Sequence, residues 1–493
     1  MFVRILPILL ILIFRFLGLF IVLPVISLYV ARMEGANMLN VGLAIGAPYL
    51  FQMLFQPFFG RLSDRYGRKN ILIIGLFVFL IGSLVCMMED SIYHLIIGRC
   101  IQGMGAIGGL LTALVADSVR EEKRTGAMAL MGVGIFISFI LAIILGAILG
   151  ARYGFNSLFL LTAVTTFASI LIAIFCVPQS EKIKFVYIDS NDSLERDMKL
   201  GIFALSLSSF IEKFLMILTF VLIPIILHTM ISEHDFWHVY APAIVVGILI
   251  LGPVSVLSEK RGRSKEILLF SVVIFLLSYI CMMFWLNDII IFGVAVVAFF
   301  AAFSIQESLL QSLISKYAKA KTRGAIIGDF NAAGFAGSFV GAMIGGFFKS
   351  YSDILAMQDL LFGGLCIGMI LWFILIFFMV KNPNATRSIY IDLDTLNADR
   401  ISVLHELSGV IEYYKNMREN ILTVRYDTAL LEPRVIYDFL GARESNFDGK
   451  ILNKIESNET LSGGASGLGE DSKMPDSMLS NFEPNNSNME EKK

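Results

Sequence analysis

The chain has 493 residues, of which 56% are hydrophobic and only 16% charged, and its mean hydropathy is +0.75. Soluble proteins carry about 25% charged residues, so this composition argues against a soluble enzyme. The 39 basic residues against 41 acidic ones leave a formal net charge of −2, which supplies no positive field to steer the chain onto nucleic acid. Cys86, Cys100, Cys176, Cys281 and Cys366 lie in apolar stretches without C-x-x-C spacing, so neither a disulfide framework nor a zinc site is written here.

Hydrocarbon about 30 Å thick needs roughly 20 apolar residues at 1.5 Å of rise each. In chain order, such segments fall at 5–30, 41–60, 70–88, 92–117, 126–150, 156–177, 201–228, 238–257, 266–286, 289–315, 323–348 and 358–380. Each is expected as a helix, because lipid offers backbone groups no other partner. The first span follows a single basic residue, Arg4, and has no A-x-A-like cleavage site, so it is expected as a retained helix. Lys and Arg gather in the loops after spans 2, 4, 6, 8 and 10 and are scarce in the opposite set. The positive-inside rule then places those loops and both termini in the cytoplasm.

The longest loop among the spans is charged and divides them six and six. Leu62-Ser63-Asp64-Arg65-Tyr66-Gly67-Arg68 recurs as Leu257-Ser258-Glu259-Lys260-Arg261-Gly262-Arg263, and Lys123-Arg124-Thr125-Gly126-Ala127 has a fainter echo in Lys321-Thr322-Arg323-Gly324-Ala325. Repeats in matching orientation imply two bundles related by an axis along the membrane normal, with a cleft between them. The expected fold is an all-α membrane protein of twelve transmembrane helices in two six-helix bundles, followed by a small α+β cytoplasmic domain. The expected parts are an N-terminal bundle at 1–180, a cytoplasmic linker at 181–199, a C-terminal bundle at 200–381, the small domain at 386–441 and a disordered tail at 442–493.

Gly60-Arg61-Leu62-Ser63-Asp64-Arg65-Tyr66-Gly67-Arg68-Lys69 resembles the signature loop of the major facilitator superfamily, G-x-L-a-D-r-x-G-r-k, in its usual place between spans 2 and 3. Arg99-Cys100-Ile101-Gln102-Gly103-Met104-Gly105-Ala106 is similar to the superfamily's R-x-x-q-G-x-g-a motif in span 4. With a small cytoplasmic domain after the spans, the chain is similar to the YajR group of bacterial proton-driven transporters. That resemblance implies an inner-membrane location, drug–proton antiport and a ferredoxin-like C-terminal domain. It also implies that Arg68 pairs with Asp117 at the cytoplasmic end of span 4, a charge lock expected to favour the outward-open state. Asp64 is expected to meet the positive end of the helix dipole at the start of span 11, around Thr322 to Gly324. Gly60, Arg65 and Gly67 complete this conformational-switch loop, although Arg65, Arg68 and Lys69 also serve as plain topology charges. One departure concerns the glycine–proline motif of antiporters in span 5, where Ala147, between Gly146 and Gly150, stands at the proline position.

Ionisable residues inside spans cost about 2.5–3.5 kcal/mol on insertion scales and are functional candidates. They are Arg15, Arg99, Glu212, Lys213, Glu307 and Asp329. Arg99 shares a small and polar helix face with Gln102, Gly103 and Ala106. Glu307 lies on the stripe Ser304, Glu307, Gln311 and Ser315, and Glu212 on Ser209, Glu212, Met216 and Thr219. Lys213 projects about 100° away from Glu212 on a helical wheel and need not pair with it. Burial favours a neutral carboxyl, which proton coupling requires, so Glu212 and Glu307 are the proton-site candidates and Arg15, Arg99 and Gln102 cavity candidates. The competing reading is a structural ion pair of a glutamate with Arg15 or Lys213. Asp329 also reads as a cytoplasmic-side charge, and Gly334, Gly337, Gly341 and Gly345 form a close-packing seam. The loop with His228, Glu233, His234, Asp235 and His238 lacks H-E-x-x-H, so no metal site is expected.

From Arg387 the pattern alternates and gives βαββα: a strand around Ile389 to Leu393, a helix at 398–408, strands at 410–415 and 420–426, and a helix near 432–440. An obvious last strand is missing. About 55 residues form a marginal domain, so it is expected to lean on the chain's own cytoplasmic loops or on a second copy. Residues 442–493 are too polar to bury a core. There is no G-x-x-x-x-G-K-[ST], so no nucleotide cofactor is expected and a proton gradient is the energy source. The partners are then a small-molecule substrate, protons and the lipid bilayer. The function read from this sequence is proton-coupled export of small apolar or cationic compounds. Its alternatives are proton-coupled metabolite uptake and a transport-silent receptor signalling through the small domain.

Overall fold

The computed structural model describes residues 2–23, 25–88, 91–119, 123–178, 185–187, 196–261, 263–318, 323–348, 350–381, 386–417, 419–428 and 430–442. Apart from Ala442, the expected tail lies outside the described residues. The first half consists of α1 (Phe2–Phe20), α2 (Ile26–Ala31), α3 (Met38–Tyr66), α4 (Arg68–Met87), α5 (Ile92–Met104), α6 (Gly108–Ser118), α7 (Arg124–Tyr153) and α8 (Asn156–Cys176). A three-residue strand, β1 (Phe185–Tyr187), precedes the second half of α9 (Arg196–Leu227), α10 (Trp237–Arg261), α11 (Ser264–Phe284), α12 (Ile289–Tyr317), α13 (Arg323–Gly345), α14 (Tyr351–Ala356) and α15 (Gln358–Met379).

Among the described residues nine helices are long and apolar enough to cross a bilayer, and Ile5–Phe20 and Trp237–Ile250 are apolar but shorter. Expected span 11 falls on α13, where glycines, Asp329 and Asn331 dilute the apolar content. Two expected spans are not single helices. The first stops at Phe20 and resumes at Ile26, flanking a proline at sequence position 24 that has no amide for a helical ladder. The fourth breaks between Met104 and Gly108. There a side chain on Gly105 would reach within 2.6 Å of the Gly75 carbonyl, so close helix approach takes precedence over helical continuity.

Glycine also sets how the halves meet. A Cβ on Gly341 would lie 2.5 Å from the Phe214 carbonyl and one on Gly334 2.8 Å from Ser209 Oγ, which brings α13 directly onto α9. Between the halves, a Cβ on Gly42 would lie 2.9 Å from Met343 Cα, and one on Gly346 2.5 Å from the Gly42 nitrogen. These α3–α13 approaches lie at the end of the bundle remote from the Gly60–Lys69 loop. Arg32 makes the same end-on connection to Glu233 at 3.4 Å and to His228 at 3.2 Å. At mid-height Phe139 of α7 packs edge-on against Phe220 of α9, with ring centroids 5.5 Å apart.

The C-terminal domain contains β2 (Thr386–Asp392), 3-10 turns at Leu393–Thr395 and Ala398–Glu406, β3 (Val410–Asn416), β4 (Ile421–Asp427) and α16 (Pro433–Leu440). The expected first helix is instead a nine-residue 3-10 helix, Ala398–Glu406, longer than most runs of that geometry. Ile389, Ile391, Leu422, Val424, Ile436 and Leu440 are among the residues that close its core. The sheet has four strands in the order β1-β3-β4-β2. Its fourth strand comes from the segment expected as linker, with Val186 opposite Lys415 and Tyr187 opposite Tyr414 in an antiparallel register. The sheet also meets the end of α12. Arg425 Nη1 donates to Glu412 Oε1 at 3.0 Å and to the Ala318 carbonyl at 3.1 Å, and Nη2 donates to the Lys316 carbonyl. A cation here complements the negative end of the α12 dipole.

Candidate functional site: a motif loop and a buried charge cluster

At the loop end, Gly67 joins α3 to α4 with φ of +94° and ψ of 138°, and its N–H donates to the Ser63 carbonyl at 3.0 Å. Side chains rarely adopt such a φ, so glycine permits the sharp reversal that makes Arg68 the first residue of α4. Arg68 Nε donates to Asp117 Oδ2 at the end of α6, with Arg68 20% and Asp117 10% exposed at the side chain. Lys69 donates to the Ile174 carbonyl at 2.8 Å. Arg65 is exposed and lies 5.4 Å from the Tyr66 ring centroid. Nothing stands within 4 Å of a Cβ on Gly60, whose carbonyl accepts from Ser63 Oγ. The Asp64 side chain and residues 319–322 lie outside the described residues, and so does the contact expected between them; the Ala147 side chain does too.

The Arg68–Asp117 pair ties α4 to α6 within one half, while the two halves are packed together at the opposite end. Its formation therefore coincides with closure there.

In the first half Arg99, Gln102 and Ser83 form one buried network. Arg99 Nη1 donates to Gln102 Oε1 at 2.9 Å, Arg99 Nε to the Ala44 carbonyl at 3.3 Å, and Gln102 Nε2 to Ser83 Oγ at 2.9 Å. Gly82 and Gly98 let α4 and α5 approach closely enough for this, since a Cβ on either would meet a neighbour at 2.5 Å. Arg15 donates to the Gly105 carbonyl at 3.2 Å, and its guanidinium lies 3.8 Å from the Phe79 ring centroid. It therefore does not pair with either glutamate.

In the second half Lys213 is the hub. Its Nζ donates to Glu307 Oε2 and lies 3.5 Å from Glu212 Oε2. It also sits 5.0 Å from the Phe303 ring centroid. The helical-wheel expectation that Lys213 need not pair with Glu212 is thus corrected, because four methylenes carry the ammonium far from its Cβ direction. Glu212 is buried, and its Oε1 has no hydrogen-bond partner among the described residues. Asp329 is exposed and stands outside this cluster. No group of three or more metal-ligating side chains occurs among the described residues.

Two features escaped the sequence reading. Gln306 Nε2 donates to Ser271 Oγ at 2.8 Å, a pair on α12 and α11 that repeats Gln102–Ser83 on the corresponding helices of the first half. Tyr49 is buried, its hydroxyl has no partner among the described residues, and its charged neighbours include Arg99 and Lys213, one from each half. A glutamine one turn after Arg99 and one turn after Phe303 was the available signal for the first. A tyrosine in an apolar span gave none for the second.

The sequence pattern of the Major Facilitator Superfamily matches residues 8–188 and 200–418. The chain is 33% identical over 353 residues to the inner membrane transport protein YajR of Escherichia coli (strain K12), covering 69% of this chain and 76% of that protein. It is 28% identical over 185 residues to the multidrug resistance protein MdtG of Proteus mirabilis (strain HI4320), covering 36% and 44% respectively. Among solved structures, the human organic anion transporter MFSD10 shares the fold with a TM-score of 0.58 at 16% identity, over 76% of this chain and 99% of that one. A duplicated helical membrane body, the Gly60–Lys69 loop and these likenesses agree: the chain belongs to the major facilitator superfamily.

Proposed function

We propose that this superfamily member spans a bacterial inner membrane twelve times with both termini in the cytoplasm, and exports small, largely apolar compounds in exchange for protons by alternating access. The observation that carries the reading is the Glu212–Lys213–Glu307 cluster. One ammonium stands against two carboxylates, one carboxylate is buried, and one of its oxygens is unpartnered. In a low dielectric a single cation compensates a single carboxylate, and the second charge is relieved most cheaply by a proton. Export is supported by the MdtG relatives, which are named multidrug resistance proteins. With the motif loop in the cytoplasm, the packed α3–α13 end faces outward, so the conformation is closed to that side.

The small domain, completed by β1 and joined to α12 through Arg425, is assigned a regulatory role at the cytoplasmic end. A second reading, proton-coupled uptake, draws on Ala147 in place of the antiporter proline. The test is transport in proteoliposomes of a pool of small aromatic compounds. Glu212→Gln and Glu307→Gln should abolish accumulation driven by a pH gradient while downhill exchange continues. Accumulation at the unaltered rate in both variants contradicts the assignment.

A further inference from the structure

Inside the membrane body the described charges do not balance. Arg15, Arg99 and Lys213 stand against Glu212 and Glu307, three cations to two carboxylates. Both carboxylates lie beside Lys213, so the two arginines have no carboxylate among the described residues. Their partners are backbone carbonyls, Gln102 and the face of Phe79. Arg15 and Arg99 are moreover electrostatic neighbours of like sign. A buried charge without a counter-ion is among the costlier arrangements in a protein.

Several buried hydrogen-bonding groups, Arg15 Nε and Gln52 Nε2 included, also have no partner among the described residues. Arg99 Nη2 and the Tyr49 hydroxyl are buried without partners, and Arg99 is 0% and Tyr49 2% exposed. Arg99 of its own half and Lys213 of the other half are both among the electrostatic neighbours of Tyr49. The next groups along, Glu212 and Glu307, belong to the Lys213 cluster, and Cys86 and Cys100 are the remaining titratable neighbours of Arg99. A cation from each half therefore lies within electrostatic reach of the Tyr49 hydroxyl. Uncompensated positive charge, with a guanidinium N–H and a hydroxyl that have no partner among the described residues, matches a monovalent anion.

We propose that Arg99, Tyr49 and Lys213 form a subsite for a monovalent anionic group, such as a carboxylate on the transported compound. This subsite deepens the transporter reading, narrowing its substrates to compounds that carry such a group, but does not depend on proton coupling. Binding is tested without any gradient, so the two can fail separately. Arg15 sets the sign of the field from one shell further out. The same chemistry would accept a halide, and the test separates the two sources.

The full chain, purified in detergent, is unfolded by heat with sodium benzoate, sodium chloride, benzyltrimethylammonium chloride or benzyl alcohol at equal concentration. Benzoate raising the midpoint above chloride assigns the site to an organic anion. Equal shifts from benzoate and chloride, both above benzyl alcohol, assign it to a halide, and either result supports an anion site. Tyr49→Phe removes a hydroxyl that is unpartnered in the free protein, so the midpoint without additives should hold or rise, while anion affinity falls at least about tenfold. Arg99→Gln should remove the response. A larger shift with the ammonium compound, no shift with either anion, or an anion shift that survives in both variants overturns the proposal. Should Arg99→Gln fail to fold, Tyr49→Phe alone decides, because a merely structural tyrosine would change the midpoint without changing the response to anions.

Discussion

Replacing Lys213 with methionine tests how the second half holds its two carboxylates. The ammonium bonds Glu307 and lies 3.5 Å from Glu212, so the change strands the charged carboxylate and leaves its protonated neighbour without this donor. Removing one partner of a buried ion pair costs about 3–5 kcal/mol. The Lys213 and Glu307 side chains are 22% and 28% exposed, which screens that contact and favours the lower end, about 3 kcal/mol. The Glu212 side chain is only 2% exposed and receives no such screening. Methionine replaces most of the apolar stem, so beyond the ammonium's contact with the Phe303 ring lost packing contributes little. Denaturant unfolding in micelles of Lys213→Met, Glu212→Gln, Glu307→Gln and the two double variants gives the cycle. Each glutamine should recover part of the loss, with a coupling of about 2 kcal/mol to Lys213. A loss below about 1 kcal/mol for Lys213→Met, or additive doubles, would refute the view that this lysine holds both carboxyl groups in place.

Other perturbations probe the remaining parts. Gly67→Ala imposes a side chain at φ of +94° and should cost about 1–2 kcal/mol by thermal unfolding, while slowing transport through displacement of Arg68. Gly341→Leu would drive a side chain into the Phe214 carbonyl, 2.5 Å from the Cβ position. It should separate α13 from α9 and reduce the yield of folded protein on size-exclusion chromatography. Because Val186 and Lys415 are register partners, cysteines at both positions should form a disulfide under mild oxidation, whereas cysteines at Val186 and Thr423 should not. Arg425→Ala leaves the buried Glu412 without this cation and should make the small domain more open to protease than the membrane body.

Much of the architecture is legible because membranes simplify the problem. Runs of apolar residues long enough to span lipid have one stable backbone form, so most spans could be placed from the sequence. The break in span 1 flanks a proline that was visible in the sequence, whereas the break in span 4 was not, because Gly105 reads as an ordinary small residue until Gly75 of another helix is brought against it. The Arg68–Asp117 contact was accessible because it belongs to a local motif with a family precedent. The Lys213 hub was not, since a helical wheel records where a side chain starts and not where four methylenes take it. Tyr49 in an apolar span looks like core, and only its unpartnered hydroxyl within electrostatic reach of two cations marks it out. The three-residue β1 carries no periodic signal of its own; it is a strand because β3 offers it an edge.

The central claim is that movement of a compound through this protein is tied to movement of protons. Proteoliposomes containing the full chain and a trapped pH-sensitive dye test it directly when benzoate and matched neutral and cationic aromatic compounds are added in turn. The account predicts a change in lumenal pH that depends on the compound, runs opposite to its flux and disappears in Glu212→Gln. Compound flux that leaves lumenal pH unchanged, in vesicles where an added protonophore confirms that the dye responds, would contradict it.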